Sequence, residues 1–190
     1  RPVATQRMFS QGEFQQTEQP LDVVIEGKGF FQIQLPNGDI AYTRDGAWKL
    51  SEDGVVVTSD GYTVLPGFTI PREAIGLNIT SSGIIAAKMP NQVDLEVLGQ
   101  IETANFINPA GLKAIGRNLF IPSGSSGDAV VGIPGTEELG EIAQGFIEMA
   151  NVKVVEEMVN MIVAQRAYEA NSKTIQTSDT MLQIANNLRR

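Results

Sequence analysis

Asn37-Gly-Asp-Ile-Ala-Tyr-Thr-Arg-Asp-Gly-Ala-Trp-Lys-Leu-Ser-Glu-Asp-Gly-Val-Val-Val-Thr-Ser-Asp-Gly61 is the stretch whose reading decides the fold. Four turn dipeptides, Asn37-Gly38, Asp45-Gly46, Asp53-Gly54 and Asp60-Gly61, recur at glycine steps of 8, 8 and 7 residues. Both dipeptide types take the positive φ angles that tight hairpins need. The segments between them, residues 47–51, 55–59 and 62–65, have strand length, so the spacing predicts an antiparallel β-meander. Tyr42-Thr-Arg-Asp-Gly46 is echoed by Val57-Thr-Ser-Asp-Gly61 fifteen residues on, which reads as two similar hairpins, since a repeat array would continue.

Upstream, Leu21, Val23 and Ile25 alternate with Asp22, Val24 and Glu26, and Phe31, Ile33 and Leu35 alternate with Gln32 and Gln34. That period of two predicts strands with one buried face. Downstream, Pro66, Pro71, Pro90, Pro109, Pro122 and Pro134 predict short strands and long connections. Candidate strands are 77–80, 84–87, 93–103 and 118–121, and the Gly-, Ser- and Pro-rich residues 123–135 read as an exposed loop. Residues 1–20 are Gln-rich, with Met8, Phe9 and Phe14 as large apolar anchors. Such a segment cannot bury itself and reads as an extended arm.

Beyond Gly145 the period changes. Residues 152–188 hold neither Gly nor Pro, which predicts one helix roughly 55 Å long at about 1.5 Å per residue, with Asn151 as N-cap. A heptad stripe runs Val154, Met161, Tyr168, Ile175, Leu182, and three residues after each come Glu157, Ala164, Asn171, Ser178 and Ala185. One seam position is large and apolar while its companion is mostly small or polar, unlike the paired Leu of a two-stranded coiled coil. Val155, Met158, Val159 and Ile162 widen the apolar surface, so the helix needs partners on more than one side. Glu169 and Lys173 stand at i, i+4 spacing for an ion pair, with Arg166 nearby. The expected organisation is therefore an arm (1–20), an antiparallel β domain (21–145) and a helix (146–190): mainly β with a long C-terminal helix, an α+β chain.

Composition removes chemistry. The 190 residues contain no Cys and no His, so thiol nucleophiles, disulfides and imidazole ligands or bases are absent. Net charge is −8, from 22 acidic and 14 basic residues, the wrong sign for a phosphate-binding surface, so no nucleic-acid partner is expected. Residues 21–145 carry 15 acidic and 7 basic side chains, the whole of that imbalance. No apolar run reaches 18 residues, so no membrane-spanning helix is expected.

The remaining motifs read as structure. Gly27-Lys28-Gly29 lacks the Walker spacing and reads as a tight turn. Asp45, Asp53 and Asp60 could in principle serve glycoside hydrolysis, but each precedes a turn Gly, where Asp is expected for backbone reasons. No alternating acidic loop suits calcium. Glu137, Glu138 and Glu141 read as a solvated acidic cluster, and Trp48 as packing.

Gly27-Lys-Gly-Phe-Phe31, Tyr42-Thr-Arg-Asp-Gly46, Pro109-Ala-Gly-Leu112, Gln144-Gly-Phe-Ile-Glu-Met-Ala-Asn151, Val155-Glu-Glu-Met-Val-Asn-Met-Ile162 and Gln165-Arg-Ala-Tyr-Glu-Ala-Asn-Ser-Lys173 resemble the bacterial flagellar rod and hook family. Arg1-Pro-Val-Ala-Thr-Gln6 and Ser10-Gln-Gly12 resemble its distal-rod branch, with the proximal rod and hook as alternatives. A carbohydrate-active β domain is the alternative from another class. The resemblance implies a structural subunit in the flagellar basal body, without catalysis, cofactor or metal. It implies export through the flagellar type III channel and self-assembly into a helical tube, a homo-oligomer with terminal helices inside and β domains outside. It also implies neighbours in the proximal rod and hook subunits and in the peptidoglycan-ring and outer-membrane-ring proteins. Packing would then fall to Val154, Met161, Tyr168, Ile175 and Leu182 with Ala164, Asn171, Ser178 and Ala185, and the family's turns to Gly27, Gly29, Asp45, Gly46, Asp60 and Gly61. Family members begin with a further apolar helix that packs on the C-terminal one, and this chain starts after it, so the seam is expected to lack its partner and the 190-residue form to assemble poorly.

Overall fold

The computed structural model describes residues 7–90, 94–136 and 138–187; Arg1–Gln6 of the arm, Val93 of the candidate strand and Glu137 of the acidic cluster lie outside them. Strands and one long helix account for the ordered elements, and every strand pairing among the described residues is antiparallel. In chain order they are β1 (Phe14–Gln16), β2 (Val23–Glu26), β3 (Phe30–Gln34), β4 (Ile40–Thr43), β5 (Trp48–Leu50), β6 (Val56–Thr58), β7 (Thr63–Val64), β8 (Gly76–Ile79), β9 (Ile84–Lys88), β10 (Glu96–Gln100), β11 (Thr103–Asn105), β12 (Lys113–Gly116), β13 (Leu119–Ile121), β14 (Val130–Gly132), β15 (Glu141–Gln144), β16 (Phe146–Glu148) and α1 (Val154–Asn187). The predominantly β chain with a C-terminal helix is the fold class expected above.

Strand β3 organises the main sheet, whose order is β12-β13-β4-β3-β7-β6-β5, with β11 joining β3 to β14. Successive side chains of a strand point to opposite faces. Phe31 and Ile33 enter the larger core with Val23, Ile25, Trp48, Val56, Val64 and Ile85. Phe30 points the other way, into a second core with Tyr42, Ala104, Phe106 and Leu112. Both faces of β3 are therefore covered. Here the one-sided burial expected from alternation fails, and Val24 is as fully buried as Val23 and Ile25. A strand buried on both sides reads as a continuous apolar run, as Phe30-Phe31 does.

Three of the four dipeptides are hairpin turns: Gly38, Gly54 and Gly61 all have positive φ. Asp45-Gly46 is not. Strand β4 is already flanked by β3 and β13, so the next strand has no free edge to pair with. The chain instead crosses beside β2, where the Val23 N–H donates to the Gly46 carbonyl at 3.0 Å and Asp22 bridges Ala47. Strands β5, β6 and β7 then wind back until β7 pairs with β3.

Four further readings change. The predicted strand 93–103 divides into β10 and β11, because the chain changes partners: β10 pairs with β9, the Ile101 N–H extends that ladder to the Gly83 carbonyl at 2.8 Å, and β11 then pairs with β3 and β14. The loop 123–135 contains β14, which supplies the second edge of β11. Residues 146–148, assigned above to the helix, form β16 and pair with β1. The chain divides into two compact units, one reaching Ala150 and one from Asn151 onward. Helix α1 begins at Val154, so Asn151 lies upstream of the cap position. Glu156 and Glu157 occupy the first turn, where negative charge complements the helix dipole.

Candidate assembly surfaces

Helix α1 has no buried residue. All five members of the heptad stripe are exposed, from Val154 at 62% to Tyr168 at 76%. A straight helix drifts about 20° per heptad against a seven-residue repeat, so the stripe sweeps roughly 80° from Val154 to Leu182. Ala164, Asn171, Ser178 and Ala185 lie beside it and are also exposed. The N-terminal turns are more apolar still: Met158, Val159, Met161, Ile162 and Val163 cover one broad side of the helix, opposite Glu156, Glu157 and Asn160, and are all more than half exposed. An apolar face this broad, left uncovered, is a face built for burial.

The polar residues of α1 fit that purpose better than their type suggests. The Thr174, Thr177 and Thr180 hydroxyls donate to the carbonyls of Ala170, Lys173 and Gln176, each at 2.8 Å. With those donors satisfied inside the helix, the residues present methyl groups outward, and burying them leaves no hydroxyl hydrogen unpaired. The expected Glu169–Lys173 pair does not form; Glu169 instead accepts from Gln165 Nε2 at 3.3 Å. The exposed Lys153–Glu156 pair, at 3.2 Å, joins the residue just before the helix to its first turn.

In the β unit the predicted turn residues serve three ends. Asp45 Oδ1 accepts from the Ala47 N–H at 3.1 Å, and Asp60 pairs with Arg117 at 3.6 Å. Gly61 has φ +86° and open space around it, whereas Gly46 abuts Val23. Gly27 and Gly29, at φ +120° and +139°, turn their carbonyls toward one guanidinium. Arg44 Nη1 donates to both at 3.0 Å, Nη2 donates to the Ile25 carbonyl at 3.2 Å, and Nε meets Glu148 Oε2 at 2.8 Å. The two charged side chains are only 17% and 11% exposed.

Arg44 and Glu148 stand within the family motifs of the sequence, but nothing in those motifs assigns either one a role. The available signal was that both stretches are polar within otherwise strand-like surroundings. Trp48 is buried in the larger core, edge-on to Phe31 at 4.9 Å.

The arm lies on this unit. Phe9 packs edge-on against Phe30 at 5.6 Å and Phe120 at 5.1 Å, extending the second core. Gln11 donates to the Ile25 carbonyl at 2.7 Å and accepts from the Gly27 N–H at 3.1 Å. Behind Phe30, Tyr42 stands edge-on to Phe106 at 4.9 Å, and burial pushes its phenol above the ordinary value. A groove of about 760 Å³ opens beside this cluster, lined among others by Phe9, Phe30, Phe106, Val130 and Val131. Lys28 and Glu138 also line it, 3.6 Å apart. Among the described residues no group of three acidic side chains is placed to hold a metal ion, and no helix is long and apolar enough to cross a membrane.

Two family descriptions match the chain: the flagellar hook protein FlgE/F/G D1 domain over residues 24–87, and the flagellar basal body rod FlgEFG protein C-terminal region over residues 143–188. A flagellar basal-body rod protein FlgG of Borreliella burgdorferi is 56% identical over 190 residues, covering 99% of this chain and 72% of its own length. Its counterpart in Caulobacter vibrioides is 45% identical over 183 residues, covering 96% and 70%. The flagellar hook protein FlgE of Escherichia coli is 38% identical over 135 residues, 71% of this chain but 32% of the hook protein.

Proposed function

The chain belongs to the family of flagellar basal-body rod and hook proteins, and we propose that, as a structural subunit of the distal rod, it self-assembles through helix α1 into a helical tube that carries torque from motor to hook. The observation that carries this reading is the helix itself: 34 residues with an exposed apolar stripe along its length and not one buried side chain. Residues 21–145 hold the acidic excess while residues 146–190 balance five against five. A tube with helices inside and β units outside would place that charge on its outer wall, where it limits non-specific association. Proximal rod and hook subunits would be its axial neighbours, and the peptidoglycan and outer-membrane ring proteins would face the β units. No catalysis is assigned. Asp45 and Asp60 have turn and ion-pair roles, which leaves the carbohydrate-active alternative without support.

The test is assembly. Joined to the apolar N-terminal helix with which family members begin, the chain should form rods in sedimentation and electron microscopy, which Tyr168→Asp or Ile175→Asp abolishes while Asp45→Asn and Asp60→Asn preserve them. Rods formed equally well by Ile175→Asp would refute the helix reading, and sugar turnover lost with the Asp changes would refute the structural one.

A further inference from the structure

Strand β16 is the last element of the β unit before the chain continues toward α1, and β1 is its only strand partner among the described residues. The ribbon they form is closed by the Thr17 N–H on the Gly145 carbonyl at 2.9 Å and the Met149 N–H on the Glu13 carbonyl at 2.8 Å. Two-stranded ribbons are marginal by themselves. This one is held by Glu148, whose Oε1 accepts from the Gly12 N–H of the arm at 2.9 Å while Oε2 takes Arg44. Arg44 in turn grips the carbonyls of Ile25, Gly27 and Gly29. One side-chain pair thus ties together the arm, the departing strand and the β2–β3 turn. The arm can come this close only without a side chain, since a Cβ on Gly12 would stand 1.8 Å from the Met149 carbonyl oxygen. Arg suits the position because its planar fork serves a carboxylate and several carbonyls at once, which Lys cannot.

We propose that Arg44 and Glu148 form a clamp making the β1–β16 ribbon the mechanical joint through which force passes between the β unit and the helix, with Arg44 as its positioning residue; the force itself rests on the rod reading above. Hydrogen exchange and swimming are the two readouts, the second in cells whose rod subunit keeps its own N-terminal helix and has its matching residues replaced by this chain. In Arg44→Gln the Thr17 and Met149 amides should exchange at least about tenfold faster while those of β3 and β4 keep their rates, and swimming should fall. Gln16 and Phe146 are opposed in the ribbon, and the chain has no native Cys, so Gln16→Cys with Phe146→Cys installs one unambiguous disulfide. Formed in the Arg44→Gln background, it should restore both readouts. Unchanged exchange, faster exchange with normal swimming, or a formed disulfide without restored swimming would each overturn the clamp. If that chimera with the unsubstituted chain fails to support swimming, the rod reading falls, and the exchange rates still judge whether Arg44 holds the ribbon.

Discussion

Gly46 and Gly61 follow Asp in the same kind of dipeptide, yet they should respond unequally to substitution. At Gly61 the backbone has φ +86° and nothing lies within 4 Å of where a Cβ would stand, so Ala meets only the left-handed backbone penalty, about 1–2 kcal/mol. Asn tolerates that region and should cost less than Ala. At Gly46 a Cβ would lie 1.8 Å from the Val23 carbonyl oxygen and 2.8 Å from its carbon, so β2 must move by more than an ångström. That movement breaks the Val23 N–H bond to the Gly46 carbonyl, worth about 1 kcal/mol. Forced overpacking adds about 1–3 kcal/mol, for a total near 2–4 kcal/mol, and Asn should be no better than Ala. Urea unfolding followed through the single tryptophan, Trp48, reports on the β unit directly because that ring is buried in its core. With an m-value near 2 kcal/mol/M, Gly46→Ala should lower the midpoint by about 1–2 M. A Gly46→Ala midpoint at or above that of Gly61→Ala, or a rescue by Gly46→Asn, would refute the crossing geometry.

Other consequences follow from single contacts. Phe9→Ala removes two edge-on ring contacts, about 1–3 kcal/mol together, and should speed limited trypsin cleavage after Arg7 without shifting the Trp48 transition by more than that amount. Gln144 accepts from the Ile79 N–H at 3.1 Å and donates to the carbonyls of Pro20 at 2.7 Å and Leu77 at 3.1 Å. Gln144→Ala should therefore cost about 2–3 kcal/mol and accelerate exchange of the Ile79 amide, and an unchanged amide would count against this bridge. Burial raises the Tyr42 pKa, so above the unfolded value near 10 the unfolded chain releases a proton that the folded chain retains. The contribution of Tyr42 to stability should be level below pH 10 and fall above it, so the alkaline decline should be steeper than in Tyr42→Phe when both are followed by urea titration.

Periodicity and turn chemistry made much of this chain legible, because both are local. Hairpins at Gly38, Gly54 and Gly61 need only a residue that accepts positive φ, and a helix free of Gly and Pro needs only its own backbone. The boundary at residue 146 was misplaced for a non-local reason: Phe146–Glu148 is a strand solely because the arm lies beside it. Arg44 and Glu148 were invisible as partners for the same reason, being 104 residues apart. Local pattern cannot say which edges of a sheet are free. Asp45-Gly46 looked like a hairpin because its residue types match one, and it crosses the sheet because β13, arriving from far along the chain, had already taken the far edge of β4.

By itself, then, the sequence determined the element types, the absence of thiol and imidazole chemistry, the acidic excess of residues 21–145 and the apolar surface of α1, all properties of residues with their near neighbours. Tertiary structure alone decided that β3 is covered on both faces, that Gly46 is a close approach, and that one arginine binds the arm to the departing strand. Those outcomes depend on which distant segments compete for the same edge or the same buried carbonyl. Closing such long loops carries an entropic cost that only the finished core repays.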